Sequence, residues 1–261
     1  MSSERKTVIS LKGVCKDFGG LHAVKNVSFD IKRGERHLII GTNGAGKTTL
    51  FNLITGELSL TSGTVEVLGT VVNKMPTYRR MRLGIKRTYQ TSALFDNLTV
   101  SENIYLAILG NEPMIKHLAV FKKAHRNTKY EERIAEIAKD FGLSERLNEI
   151  VKNLSHGERR QLELATGAVT KPKVLLLDEP GAGLSQEERQ LLVTFIKKFN
   201  KDVTVVIIEH DMELAFAVAD NVTVMFDGEV IFQGDPETVK NSQLVRDIYL
   251  GGGNDDNSAS A

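Results

Sequence analysis

The chain has a single cysteine, Cys15, so no disulfide can close within it, and that usage fits a reducing compartment. Cys15 reads as a small apolar strand residue and takes no role. A surplus of one charge is missing too. Lys and Arg number 34 against 33 Asp and Glu, and the net +1 gives no long-range field that would collect nucleic acid. Long hydrophobic runs are absent: VLLL and VTVVII are far short of the roughly 18 residues needed to span a bilayer, and MSSERKTVIS carries no apolar signal core. The expectation is a soluble, cytosolic protein whose contact with a membrane comes through a partner. There is no internal repeat. What the chain does have is 261 residues at 41% apolar content, enough for one large α/β domain or a core with a small inserted lobe.

β-Branched residues alternate or cluster in TVISLKGVCKDF, AVKNVSFDIK and ERHLII, with Gly19–Gly20 and Arg33–Gly34 as turns, so the first part is strand-rich. HLII runs straight into GTNGAGKTT, and TLFNLI follows with helical character. From about Thr91 to Thr166 the periodicity is helical, opening at LTVSENIYLAI, where Thr99 and Glu102 form a capping box. The chain then returns to strands. KPKVLLLDEP and DVTVVIIEH are continuous apolar runs of the kind that lie in a parallel sheet buried on both faces. Between them, SQEERQLLVTFIKKF is an amphipathic helix started by Ser185 and Glu188. DPETVKNSQLVRDIYL closes the fold, with Asp235 as cap and Pro236 in the first helical position. After it, GGGNDDNSASA is low-complexity and expected to be disordered.

GTNGAGKTT carries G-x-x-x-x-G-K-[ST] at Gly41, Gly46, Lys47 and Thr48, between a strand and a helix as phosphate binding requires. Its glycines let backbone N–H groups curl round phosphates, Lys47 reaches the β- and γ-phosphates, and the Thr48 hydroxyl can ligate Mg2+. The chain is expected to bind a nucleoside triphosphate. VLLLDE sets Asp178 and Glu179 at the C-terminal end of a buried strand, where ligands of open α/β sheets sit. One carboxylate can hold Mg2+ through water; the next can orient and deprotonate an attacking water.

Other residues admit two readings each. His210, ending DVTVVIIEH, is a strand-end histidine or a sensor of the γ-phosphate. Gln90 in RTYQ is a polar loop residue or a reporter of phosphate and metal to a moving lobe. Phe18 in KDFGG is a strand-end hydrophobe unless the fold brings it near adenine, where exposed stacking adds roughly 1–3 kcal/mol. In NLSHGERRQLELA, Ser155 and Glu158 make a further S-x-x-E box, so a helix starts there with unpaired N–H groups and a positive dipole end able to hold a phosphate. The run from Gly110 to Lys129 sets Lys116, Lys122, Lys123, Arg126 and Lys129 against one acid, Glu112. It is a solvated face, or a basic surface turned to anionic lipid, where each charge contributes about 1 kcal/mol.

Taken in order, these residues resemble one family, the ATP-binding subunits of ABC transporters. KDFGG looks like its adenine-stacking loop at Phe18, GTNGAGKTT its Walker A, RTYQ its Q-loop at Gln90 and LSHGE its signature. VLLLDE looks like its Walker B, GLSQ its D-loop and IIEH its switch histidine at His210. The resemblance covers about residues 8 to 250. It implies an α/β fold with a P-loop, ABC-type ATPase core (1–90 and 167–250), an antiparallel β subdomain, an inserted α-helical subdomain (91–166) and a disordered tail (251–261). It also implies ATP and Mg2+ as cofactors. Nucleotide contacts would come from Phe18, Gly41, Asn43, Gly44, Ala45, Gly46, Lys47, Thr48, Thr49 and Gln90. Mg2+ contacts would come from Thr48, Gln90 and Asp178, and catalysis from Glu179, His210 and Lys47. Two subunits, alike or different, pack head to tail in this family, so Ser155 and Gly157 would cover a neighbour's γ-phosphate. LSHGE departs from the commoner LSGGQ at His156 and Glu158. A carboxylate beside phosphate repels it unless Glu158 turns back to cap its own helix. Ser185 stands where the D-loop often has Asp.

FGGLHAVKNVSF, RTYQTSALFDNLTVSENI, the lengthened helical lobe and the ending VRDIYLG resemble the branched-chain amino-acid branch of importers, which also handles urea and amides. Lipopolysaccharide-export ATPases share the last feature. The implied protein is an ATPase subunit on the cytoplasmic face of the cell membrane, held by permease subunits and served indirectly by a periplasmic or extracellular solute-binding protein, with no nucleic-acid partner. One rival is an exporter of the lipopolysaccharide type. A second is a soluble ABC protein of DNA repair or translation, against which the single cassette without a coiled-coil insert stands. A third is a non-catalytic nucleotide module, opposed by the presence of both Glu179 and His210.

Overall fold

The computed structural model describes residues 5–88, 94–110, 128–169 and 171–251. Strands β1 (Thr7–Phe18) and β2 (Leu21–Lys32) form a long hairpin about Gly19–Gly20. β4 (Ser62–Val67) and β5 (Thr70–Val71) extend it to an antiparallel sheet of order β2-β1-β4-β5. Cys15 lies inside β1 as expected. The second sheet has the order β10-β9-β3-β8-β7-β6. It is parallel through β3 (Arg36–Gly41), β6 (Ile85–Thr88), β7 (Val174–Asp178), β8 (Thr204–Ile208) and β9 (Asn221–Phe226), and β10 (Glu229–Gly234) pairs antiparallel with β9.

The unbroken apolar runs of β3, β7 and β8 follow from burial on both faces. Successive strand residues point to opposite sides. Leu38, Leu175, Leu177, Val205 and Ile207 join an apolar cluster shared with helices, whereas Ile39, Val174, Leu176, Val206 and Ile208 join another with the antiparallel sheet and the first helix. Each such side chain contributes about 1.5–3 kcal/mol on burial. The central sheet is therefore held from both sides.

The first helix, α1 (Lys47–Thr55), leaves β3 through the glycine-rich loop. Between β6 and β7 come α3 (Val100–Gly110), α4 (Thr128–Asp140) and α5 (His156–Val169). Then follow α6 (Gln186–Lys198), α7 (Met212–Val218), α8 (Pro236–Asn241) and α9 (Gln243–Gly251). The expected caps form. Glu102 accepts the Thr99 amide at 2.7 Å and Thr99 Oγ1 accepts that of Glu102 at 3.2 Å; Ser185 and Glu188 close the same box on α6, and Asp235 caps α8. No helix among the described residues is long and apolar enough to cross a membrane.

Several boundaries differ from the sequence reading. A short helix, α2 (Thr77–Leu83), lies between β5 and β6, in a stretch to which the sequence assigns no element. Its sequence TYRRMRL has no apolar period of 3.6, and it is fixed instead by buried Arg80, which donates to the carbonyls of Leu53 at 2.7 Å and Ile54 at 2.9 Å at the end of α1. Such carbonyls lack helical partners and need a donor. The closing helix is two helices, because the chain turns at Ser242. β8 stops at Ile208, two residues before His210. Helix α5 carries on past Thr166 to Val169, and Gly251 belongs to α9 rather than to the tail.

Candidate nucleotide and catalytic site

Parallel pairing sets the ends of β3, β7 and β8 side by side, since Ile39 and Asp178 both pair with Ile208. Gly41, Asp178 and the turn after Ile208 thus share the C-terminal edge of the sheet, where open α/β sheets bind ligands. β6 reaches the same edge, with Thr88 opposite Leu177.

The loop from Gly41 to Thr49 opens at the buried end of β3 and keeps Asn43, Gly44 and Thr48 exposed, with Ala45 buried and Thr49 half-buried. Gly46 starts α1 at φ 92°, and a Cβ there would lie 2.4 Å from the Ala23 carbonyl oxygen. No side chain fits that space. The same contact brings the β1–β2 hairpin against the loop. Phe18, 46% exposed at the end of β1, pairs with Leu21, two residues from Ala23. An exposed ring thus stands at the tip of the hairpin that touches the phosphate loop at Ala23.

Lys47 is buried, and its Nζ donates to the carbonyls of Gly41 at 2.7 Å and Thr42 at 2.8 Å. Burial pushes its ammonium below the usual lysine value, opposed by the carboxylates of Glu179 and Asp178. Loop and acids therefore share one electrostatic site. Asp178, buried at the end of β7, accepts from Arg87 Nη2 at 2.6 Å through Oδ2, while its Oδ1 is buried with no hydrogen-bond partner. Glu179 has a left-handed backbone, φ 46°, unusual for a residue with a side chain. Its amide donates to the Ile208 carbonyl at 2.9 Å, and its Oε1 lies 3.5 Å from His210 Nδ1. The structure thus brings together Lys47, Asp178, Glu179 and His210.

The residues present fit a divalent cation of the Mg2+ type. No three His, Cys, Asp or Glu gather in a metal-binding group among the described residues, so an ion here must draw most of its ligands from substrate phosphates and water, as Mg2+ does. A buried carboxylate oxygen without a donor, Asp178 Oδ1, supplies a hard ligand, and Thr48 is exposed in the first turn of α1. Gln90 and the basic segment from 111 to 127 lie outside the described residues.

The second helix start is set apart from the loop. Ser155 Oγ accepts the Glu158 amide at 3.2 Å, and Glu158 Oε2 accepts the Ser155 amide at 2.8 Å. Arg146 Nε also donates to Glu158 Oε1 at 2.6 Å. Burial raises the Glu158 carboxyl, but these backbone and Arg146 bonds outweigh it and hold it below the ordinary range. The acid that replaces glutamine in LSHGE is thus turned back on its own helix. A Cβ on Gly157 would meet Glu188 Oε1 at 2.0 Å, so α5 starts hard against the cap of α6. His156 Nε2 lies 3.1 Å from the Ala182 carbonyl oxygen. Among the described residues, no hydrogen bond or ion pair joins Ser155 or Gly157 to residues 41–49.

Two residues that the sequence reading passed over hold the site. Glu209 is buried, and its carboxylate accepts the amides of Gly181 at 2.6 Å, His210 at 3.1 Å and Asp211 at 3.4 Å. Burial pushes this carboxyl above the ordinary range, against those three bonds. An acid directly after the four apolar residues Val205–Ile208 is the available signal. Arg160 of α5 donates to the carbonyls of Pro180 at 2.9 Å and Asp178 at 3.3 Å. A cleft of about 790 Å3, lined by Lys6, Arg33, Lys173 and Phe199 among others, lies at the opposite strand ends and touches none of these residues.

A phosphate loop between β3 and α1, Lys47 in the field of two acids, and a carboxylate–histidine pair at the carboxyl edge of a parallel sheet define a P-loop nucleoside triphosphatase. The family profile described as "ABC transporter" matches residues 24–182. The high-affinity branched-chain amino acid transport ATP-binding protein LivG of Escherichia coli (strain K12) is 35% identical over 94% of this chain and 98% of its own length. The corresponding BraF of Pseudomonas aeruginosa is 34% identical over the same shares. Among solved structures, the ADP conformation of MJ1267, an ATP-binding cassette of an ABC transporter, superposes with a TM-score of 0.80 at 29% identity, covering 94% of this chain and 99% of that one. A dimeric post-hydrolysis state of the cassette MJ0796 bound to ADP and Pi gives 0.74 at 26% identity, over 87% and 98%. The chain belongs to the ABC transporter family and is an ABC-type ATPase that binds ATP.

Proposed function

We propose that this ATPase powers an importer of branched-chain amino acids or of related small polar solutes, such as urea and amides. The supporting observation is its overlap, along nearly the whole of both chains, with LivG and BraF. The ATP-binding core and β subdomain take up residues 1–90 and 170–251, and the helical lobe that carries the signature lies between them, in 91–169. The subunit sits on the cytoplasmic face of the membrane, held by permease subunits. A solute-binding protein serves the other face, and nucleic acid is no partner.

Two cassettes, identical or different, pack head to tail. ATP enters along Gly41–Thr49 with its adenine against Phe18, and Lys47 shifts from its carbonyls towards the β- and γ-phosphates. Thr48, Asp178 and Gln90 would hold Mg2+, which when bound would neutralise phosphate charge. Glu179 orients the attacking water and takes its proton. His210, 3.5 Å from Glu179 Oε1, steadies that carboxylate and reaches the γ-phosphate. Ser155 and the N–H groups about Gly157 cover the phosphate of the neighbouring subunit. Glu158, spent on its own cap and on Arg146, puts no repelling charge there. Hydrolysis removes the phosphate that joins the halves, and the dimer opens.

Reconstitution of the assembled transporter in liposomes tests the solute class. ATP-dependent uptake of labelled leucine, isoleucine or a small amide delivered by the binding protein is expected. Outward movement of a lipid-linked saccharide instead would overturn the importer assignment.

A further inference from the structure

Arg87, the third residue of β6, is half-buried with 6% of its side chain exposed, and its one guanidinium bonds three side chains. Nη2 donates to Asp178 Oδ2 at 2.6 Å. Nη1 donates to Asn52 Oδ1 at 2.5 Å and Glu57 Oε2 at 3.1 Å, at and just beyond α1, and the guanidinium lies over the Phe51 ring at 5.6 Å. The side chain therefore ties the acid ending β7 to the helix that begins with Lys47 and Thr48. A planar fork that bonds in several directions at once is arginine's particular capacity. Asp178 accepts this bond with one oxygen alone. The other, Oδ1, is buried without a donor, a costly arrangement for a carboxylate unless a cation completes it.

We propose that Arg87 is a positioning residue for Mg2+-nucleotide: it anchors Asp178 by Oδ2 and so presents Oδ1 to the metal. The proposal rests on the metal role of Asp178 given above. Arg87 does not touch the metal, the nucleotide or the attacking water. It sets the aim of the carboxylate that does, as partners behind metal ligands generally do, and their loss costs about 10–100-fold in metal affinity.

The test is binding of a fluorescent ATP analogue to the full chain, first in EDTA and then across a MgCl2 series, for the wild type, Arg87→Gln, Arg87→Lys and Asp178→Asn. Arg87→Gln is expected to keep the wild-type affinity in EDTA and to need about tenfold more Mg2+ for its metal-dependent increment. Arg87→Lys keeps the charge without the fork and falls between the two. A purely structural role would instead weaken binding equally in EDTA and in Mg2+, and that result overturns the proposal. So does tighter Mg2+ binding in Arg87→Gln, which would make Arg87 a competitor for Asp178. If Asp178→Asn keeps the full Mg2+ response, the metal assignment itself fails; if Asp178→Asn loses it while Arg87→Gln matches the wild type, Arg87 alone is wrongly placed. Should circular dichroism show Arg87→Gln unfolded, Arg87→Lys decides: an unmoved Mg2+ midpoint overturns the proposal, and a shifted one with unchanged EDTA affinity supports it.

Discussion

Lys47 is held by two backbone carbonyls and by the field of two acids, so its ammonium is already placed inside the loop before any phosphate arrives. Lys47→Ala removes the cation nearest the β- and γ-phosphates, and nucleotide affinity and turnover should fall together. Titration of the purified variant with ATP, alongside phosphate release, checks this; unchanged values for both would contradict the site. Glu209 gives a test by pH. Its folded pKa is raised by burial, so its contribution to stability is full below the ordinary glutamate range and is lost as pH rises through the raised value. Glu209→Gln lacks that titration. Urea unfolding across this window should show the wild type losing stability relative to Glu209→Gln as pH increases. A difference that stays constant, or grows in favour of the wild type, would show that the three amides outweigh burial.

At the scale of elements, the start of α5 packs directly onto the cap of α6. Glu188 closes the cap of α6 and also lies where a Cβ on Gly157 would go, at 2.0 Å. Gly157→Ala should therefore dislodge Glu188 and cost about 1 kcal/mol of stability, the usual worth of a cap. Chemical denaturation measures it, and an unchanged midpoint would mean that Glu188 moves freely. The boxes at Thr99, Ser155 and Ser185 were legible because each depends on residues three apart, as was the strand–loop–helix at Gly41–Lys47. α2 was not, because it has no apolar face of its own and is held by Arg80 reaching α1. Arg87 and Glu209 escaped notice for the same reason. Their partners Asp178 and Gly181 lie 91 and 28 residues away, and the sheet alone brings them together.

At the scale of the molecule, the proposed phosphate site is divided between two places in the chain. Lys47 of the loop Gly41–Thr49 lies in the field of Asp178 and Glu179, and Glu179 Oε1 is 3.5 Å from His210 Nδ1; among the described residues no hydrogen bond joins that loop to Ser155 and Gly157, which begin a helix against α6. In the proposed head-to-tail packing a second subunit completes the arrangement. Glu179→Gln keeps the shape of the side chain but removes the base, so turnover should drop by about 10²–10⁴-fold with ATP still bound. With the opening step blocked, this variant should accumulate as an ATP-dependent dimer. Adding Ser155→Arg puts a long side chain where the neighbour's γ-phosphate must sit. Light scattering with ATP, on the isolated subunit and on the assembled transporter, is the most direct measurement: a dimer for Glu179→Gln that disappears in the double variant, with nucleotide binding retained, is the expected result. A Glu179→Gln protein that stays monomeric with ATP even beside its permease, or a double variant that dimerises as before, would leave NLSHGERRQLELA as a well-capped helix and nothing more.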